Sequence, residues 1–455
     1  MQIKSINPFN GKTIETYKSH SLKVTQDIIA KMHKSYLDWK RGSFKERAAL
    51  LKKVAIVLRD EKEECARLMA MEMGKPVTQG RSEIEKCARV CEYFAENAED
   101  FLKPEQVPTD ATKSYISFQP IGIVLAIMPW NFPFWQVFRN AAPNFMAGNT
   151  VVLKHALNVP GCALKIESIF QKAGYPADIF RSLLIEHKHI PAIIQNPYIR
   201  AVSLTGSTEA GRSVAMEAGK ALKKCVLELG GSDPYIILKD ADLDLAAKVC
   251  AEARLLNSGQ SCVAAKRFIV IKDVKKKFEE KFKEEISRFK VGDPLDESTN
   301  IGPLARFDLR DTLSSQVKRS ISSGAKCILG GEIPKSEGAF YPPTVLTDVP
   351  LTSPAANEEL FGPVASVITA KDSEEGITIA NSTLYGLGAA VFTKDVTNGE
   401  KIANTELDSG LCFVNANVHS APNLPFGGVK ESGYGRELSQ YGIKEFVNIK
   451  TVYVK

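Results

Sequence analysis

Ile199-Arg-Ala-Val-Ser-Leu-Thr-Gly-Ser-Thr-Glu-Ala-Gly211 opens as an apolar run and leaves as a helix, with a glycine turn between. The aliphatic half has strand length. The Gly-Ser-Thr turn running into Glu-Ala reads as a helix start. The same order recurs on both sides. Residues 121–127, 150–154, 180–185 and 226–229 read as further strands, and 160–173 as a helix. Beyond Gly230-Gly231 a second series begins, with strands at 235–238, 267–271, 326–329, 365–369, 388–392 and 410–415 and helices between them. Alternation of this kind specifies parallel sheets covered by helices on both faces. Upstream, residues 24–99 carry helical periodicity, broken at Gly74-Lys75-Pro76, and residues 1–20 read as extended with a turn at Asn10-Gly11. Residues 113–118 and 446–454 alternate polar and apolar outside any strand-helix unit. They are expected to form a small separate sheet whose edge suits subunit pairing.

A chain of 455 residues, 44% hydrophobic and 25% charged, is expected to divide into two or three globular domains. The formal charge of +6 is small for this length. The densest lysine run, residues 272–283, is interleaved with Phe278 and Phe282 as on an amphipathic helix, so no nucleic-acid partner is expected. Residues 1–10 contain no apolar segment of secretory type, and the longest apolar run, 121–135, is interrupted by Pro129, Asn131 and Pro133. Neither export nor membrane insertion is expected. The nine cysteines form no CxxC pair, which points to a reducing, cytoplasmic setting. With six histidines and no HExxH, no metal site is expected.

Four features could carry chemistry. Ser258-Gly-Gln-Ser-Cys262 places a thiol among small residues between a helical run, 241–257, and a strand, where it can face a cleft or pack as a small hydrophobe. Glu228 ends an apolar strand just before two glycines, and reads either as a general base at the sheet's C-terminal edge or as a capping carboxylate. Pro129-Trp-Asn-Phe-Pro133 holds one amide between two prolines, as an oxyanion donor or a structural turn. The Gly206-Ser207 turn could bind phosphate or simply bend the chain, and Lys154 could meet a ribose or solvent. A thiol, a carboxylate, an amide and a phosphate turn suffice together for capture of a carbonyl, hydride loss to a dinucleotide, and hydrolysis.

These residues resemble the aldehyde dehydrogenase superfamily. The resemblance rests on 129–133, 204–207, Glu228-Leu-Gly-Gly231, Gly259-Gln-Ser-Cys262, Glu359-Leu-Phe-Gly-Pro363 and Pro425-Phe-Gly-Gly428, in the family's order and spacing, and covers essentially the whole chain. Segments 127–136, 153–156, 223–234 and 305–310 are most similar to the short bacterial subgroup acting on succinate semialdehyde. The resemblance implies an α/β, aldehyde-dehydrogenase-like fold with a Rossmann-like cofactor domain (1–101 and 121–230), a catalytic domain (231–424) and a small β oligomerisation element (102–120 and 436–455). It implies that Cys262 is the nucleophile, Asn131 the oxyanion donor and Glu228 the base. It implies cofactor contacts at Trp130, Lys154, Gly206, Ser207, Gly211, Glu359 and Phe361, and a substrate-carboxylate contact at Arg139. Members selective for NAD carry a Glu three residues after the lysine; here that position is Leu157, so both NAD and NADP are expected to serve. A second arginine familiar in the subgroup is replaced by Leu256, with Arg254 nearby. The expected partners are a small aldehyde and further copies of the chain, as a homodimer or homotetramer. Alternatives are a broad-specificity aldehyde dehydrogenase, a thiol hydrolase, or a non-catalytic member of the fold.

Overall fold

The computed structural model describes residues 2–455. Two sheets with parallel cores organise the chain. The first has six strands in the order Gly433–Tyr434, Lys224–Glu228, Ile199–Thr205, Ile123–Met128, Thr150–His155, Phe180–Ser182. All run parallel except the two-residue edge strand Gly433–Tyr434. The second has seven strands, Lys326–Leu329, Thr344–Thr347, Val364–Ala370, Ala265–Ile271, Asp233–Ile237, Gly388–Phe392 and Leu411–Val414, parallel apart from Lys326–Leu329. Strands such as Ile123–Met128 and Ala265–Ile271 are buried along their whole length, the consequence of helices on both faces.

The register aligns the chain's chemistry at one end of the first sheet. Ile127 lies opposite both Lys154 and Leu204, and Thr205 lies opposite Glu228. Three loops therefore leave the sheet side by side: the one after Met128, the one after His155 and the one after Thr205. Ligands of open α/β sheets bind at this C-terminal edge.

The distant strands Lys113–Pro120 and Val447–Val454 pair antiparallel over eight residues, with Glu105–Gln106 added on one side. Val447–Val454 has no strand partner on its other edge among the described residues, and Ile449, Tyr453 and Val454 are exposed.

Two sequence expectations need adjustment. The helix before Cys262 is Leu243–Leu255 and does not reach residue 257. The strand Thr344–Thr347, four residues flanked by prolines and Asp348, escaped notice because so short a run carries no periodicity. The lysine-rich helix, Lys272–Ser287, buries Phe278, Phe282 and Ile286 as its pattern requires.

Candidate active site

Cys262 owes its position to an unusual turn. Asn257 (φ 56°), Ser258 (φ 56°) and Gly259 (φ 75°) are left-handed in succession. Such backbone persists only where the surroundings over-determine it. Here they do. Asn257 is fully buried; its N–H donates to Gln79 and its amide donates to the carbonyls of Asn131 and Gln260. Ser258 exchanges hydrogen bonds with Gly302, and the Gln260 side chain accepts from the Ala305 N–H. Gly259 lies so close to Gly362 that a Cβ would stand 2.3 Å from its carbonyl carbon. Arg254, fully buried, donates to the Gly259 carbonyl from behind. Its guanidinium therefore serves the turn. Leu256 is exposed beside it.

Asn131 is 4% exposed and faces this turn. Its Nδ2 donates to the Gln260 carbonyl at 3.0 Å, and its Oδ1 accepts from Gln136. The loop that carries it is fixed twice. Glu83 accepts from the Phe134 and Trp135 N–H groups, at the start of helix Trp135–Met146, while pairing with the buried Lys75. His155 lies within hydrogen-bond distance of the Pro133 carbonyl and accepts from the Ala156 N–H. Burial lowers the His155 pKa to about 4, so its ring is neutral near pH 7 and its Nε2–H donates to Pro133.

Glu228 is 2% exposed, and neither carboxyl oxygen has a protein hydrogen-bond partner among the described residues. Oε1 sits where a side chain on Gly427 would be, 2.7 Å from that position, which explains the glycine of Pro425-Phe-Gly-Gly428. Burial first, then the neighbouring Glu437 carboxyl, raise the Glu228 pKa well above the carboxylate range; Arg139 and Arg436 oppose the rise. Burial likewise pushes the half-buried Cys262 thiol up to about 12, against the pull of Arg139 and Lys266. Cys262 and Glu228 thus sense each other's charge, and both rest protonated more readily than in water.

Arg139 does not stand free. It is buried, ion-paired to Glu437 at 2.5 Å, bonded to Thr205 Oγ1 at 3.1 Å and stacked over Phe426. The guanidinium expected to meet the substrate carboxylate is thus ion-paired to an internal acid. Two participants escaped the sequence reading. Glu437 follows the glycine-rich loop with no periodic signal. Lys266, fully buried, donates to the carbonyls of Ser261, Cys262 and Ala264 and lies 3.5 Å from Glu359. An isolated lysine in a strand offers no pattern by which to find it.

A cavity of about 770 Å³ opens beside this centre, lined among others by Trp130, Lys154, Leu157, His187, Gly206 and Arg306. Lys154 is 2% exposed, and its one polar partner among the described residues is His187 Nδ1, at 3.3 Å. Burial lowers its pKa to about 8. An ammonium so placed, with no acid beside it, suits a phosphate or ribose. No carboxylate occupies position 157. Ser207 caps helix Thr208–Lys220, its Oγ accepting from the Ala210 N–H, which leaves its own O–H at the positive helix end for a phosphate. Glu359 accepts from the Gly231 N–H, and the Trp130 and Phe361 rings meet edge to face at 5.7 Å. These groups fit a dinucleotide. Gly211 is otherwise employed: it lets the helix pack on Leu229, whose methyl carbons would lie 2.5 Å from a Cβ.

Eight further cysteines accompany Cys262. Six are buried, but Cys327 is exposed and Cys412 half-buried. Cys327 lies on the edge strand Lys326–Leu329, none of whose residues is buried. Among the described residues no group of three or more His, Cys, Asp or Glu side chains is placed to hold a metal ion, and no helix is long and apolar enough to cross a membrane.

The model of the aldehyde dehydrogenase family matches residues 1–452. The probable succinate-semialdehyde dehydrogenase [NADP(+)] of Synechocystis is 46% identical over 454 residues, the full length of both chains. The succinate semialdehyde dehydrogenase [NAD(P)+] Sad of Escherichia coli K12 is 43% identical, over 99% of this chain and 97% of that protein. Among solved structures, succinic semialdehyde dehydrogenase from Streptococcus pyogenes in complex with NADP+ superposes with a TM-score of 0.97 at 37% identity, over 99% of each chain.

Proposed function

Because the chain belongs to the aldehyde dehydrogenase family, we propose that it oxidises succinate semialdehyde to succinate with NADP or NAD as acceptor. The observation that carries the reading is the bond from Asn131 to the Gln260 carbonyl, which sets an amide donor two residues in sequence from the thiol that follows the left-handed turn.

In the reaction, Cys262 releases its proton to water and its sulfur bonds to the aldehyde carbon. The oxygen of that carbon becomes an alkoxide. The second hydrogen of the Asn131 amide and the Cys262 backbone N–H stabilise it. The chemistry a bound nicotinamide supplies is acceptance of a hydride from that carbon, which leaves a thioester on Cys262. Glu228, once deprotonated, takes a proton from water as the water oxygen attacks the thioester. The carbon–sulfur bond breaks, the acid departs, and the thiol is restored. Lys154 and Ser207 would hold the ribose and pyrophosphate, Glu359 the second ribose, and Trp130 and Phe361 would wall the nicotinamide end. With Leu157 in place of a carboxylate, a 2′-phosphate meets Lys154 without repulsion.

The first sheet serves the cofactor and the second carries the nucleophile. The unpaired edge of Val447–Val454 is where a second copy of the chain adds on, giving a dimer or larger homo-oligomer. The reading is tested by following absorbance at 340 nm with succinate semialdehyde, butanal and propanal, each with NADP and with NAD. Strong preference for succinate semialdehyde with use of NADP is the expected result. Equal rates for all three aldehydes favour a broad-specificity enzyme, and a strong NAD preference overturns the role given to Leu157.

A further inference from the structure

One cation beside the reaction centre has no acid to balance it. Lys86 leaves helix Val77–Phe101 toward the interior. Its Nζ donates to Ser420 Oγ at 2.8 Å and stands 4.2 Å from the centre of the Trp135 ring. Trp135 Nε1 donates to the same Ser420 oxygen at 3.1 Å. That hydroxyl already receives two donors, and its own hydrogen is left for an acceptor that no described residue supplies. No carboxylate lies within ion-pair distance of Lys86 among the described residues. The nearest acid by charge, Glu83, is committed to Lys75 and to two backbone N–H groups. The other cation here, Arg139, is committed to Glu437.

We propose that Lys86, with the Ser420 hydroxyl, receives the distal carboxylate of the aldehyde, so that the enzyme selects aldehydes that end in a carboxylate. The proposal rests on the succinate-semialdehyde reading and deepens it. An ammonium and a hydroxyl lie side by side against the face and edge of one indole. A ligand carboxylate would accept from both. The place matches the need: the charges of Arg139 and Cys262 both act on the Lys86 ammonium, and Trp135, which shares the Ser420 hydroxyl with it, opens the helix that follows the Asn131 loop, so the anchor lies near the sulfur that must reach the aldehyde end of the same small molecule. Desolvating an unpaired ammonium is unfavourable, and an incoming carboxylate relieves that cost.

Burial, and after it Arg139, lower the Lys86 pKa to about 8, while Cys87, Glu83 and Cys262 act in the opposite direction. The charge is therefore complete below that pH and lost above it. Titration of Cys262 and Glu228 affects every aldehyde alike, so the ratio of kcat/KM for succinate semialdehyde to that for butanal isolates the anchor.

The experiment measures that ratio with NADP for the wild type, Lys86→Met and Lys86→Arg, together with competitive inhibition by succinate. In Lys86→Met the ratio is expected to fall by about tenfold or more through a higher KM for succinate semialdehyde, with succinate inhibition weakened in parallel; a charge-assisted contact is of that strength. Lys86→Arg should restore most of it. In the wild type the ratio should fall as pH rises through about 8, a readout that needs no variant to fold. A wild-type preference that survives unchanged in Lys86→Met, or a ratio flat across that pH range, overturns the role of Lys86 alone. A wild type with no preference for succinate semialdehyde overturns the substrate reading as well.

Discussion

Asn131 donates one amide hydrogen to the Gln260 carbonyl and has the other free to meet an alkoxide formed on Cys262. Asn131→Ala should lower kcat by about 100- to 1000-fold, the usual effect of losing one oxyanion donor, while the dissociation constant for NADP, read by fluorescence, stays near the wild-type value. Near-normal turnover would exclude the role. Glu228 and Glu437 give a second test. Glu437 raises the Glu228 pKa, and Arg139, paired with Glu437, lowers it. Glu437→Gln removes the repelling charge and frees the guanidinium, and both changes depress the Glu228 pKa. A base must be deprotonated to act, so activity rises with pH through its pKa. The acid limb of the kcat profile should therefore move to lower pH in Glu437→Gln; an unmoved limb would separate the two carboxyls. At this scale the sequence singled out Cys262, Asn131 and Glu228 because motifs surround them, and the structure brings them to one centre. The sequence was silent about Lys86, Lys266 and Glu437, because their meaning lies in what the fold brings to them.

The elements around the site are pinned by buried polar groups more than by propensity. Helix Trp135–Met146 starts without a capping side chain of its own, and Glu83 of a distant helix fills that office. Glu83 and Lys75 are each at least 98% buried. Glu83→Gln should leave an uncompensated ammonium beside Phe132, at a cost of about 3–5 kcal/mol, and release the first turn of the helix that follows Asn131. A lower thermal midpoint together with a fall in kcat is expected, and unchanged values of both would contradict the pinning. Strand-helix alternation was readable from residue 121 onward because fully buried parallel strands are continuous apolar runs. The turn at 257–259 was not, since Asn and Ser in left-handed backbone follow from packing against Gly302 and Gly362. The helical run read from the sequence ended at residue 257, two residues past the end of the helix.

Across the whole molecule, two sheets converge on one centre and a third stands apart. The pairing of residues 113–120 with 447–454 could be anticipated from two alternating strands without a helix to follow; the order of strands within each sheet could not, since it depends on crossovers that leave no local mark. The free edge of Val447–Val454 exposes Ile449 (61%) and Tyr453 (46%). Ile449→Lys should shift the protein toward a monomer in light scattering, because charge on an edge strand opposes strand addition. An unchanged mass would move the subunit contact elsewhere. The account as a whole stands on a thioester at Cys262 that needs Glu228 for its release, and one mixing experiment addresses this directly. Glu228→Gln is combined with succinate semialdehyde and NADP, absorbance at 340 nm is recorded, and the protein is then analysed by mass spectrometry. The prediction is a burst of one NADPH per active site, almost no further turnover, and a succinyl group on Cys262. Steady turnover at the wild-type rate, or a burst that leaves Cys262 unmodified, would contradict it.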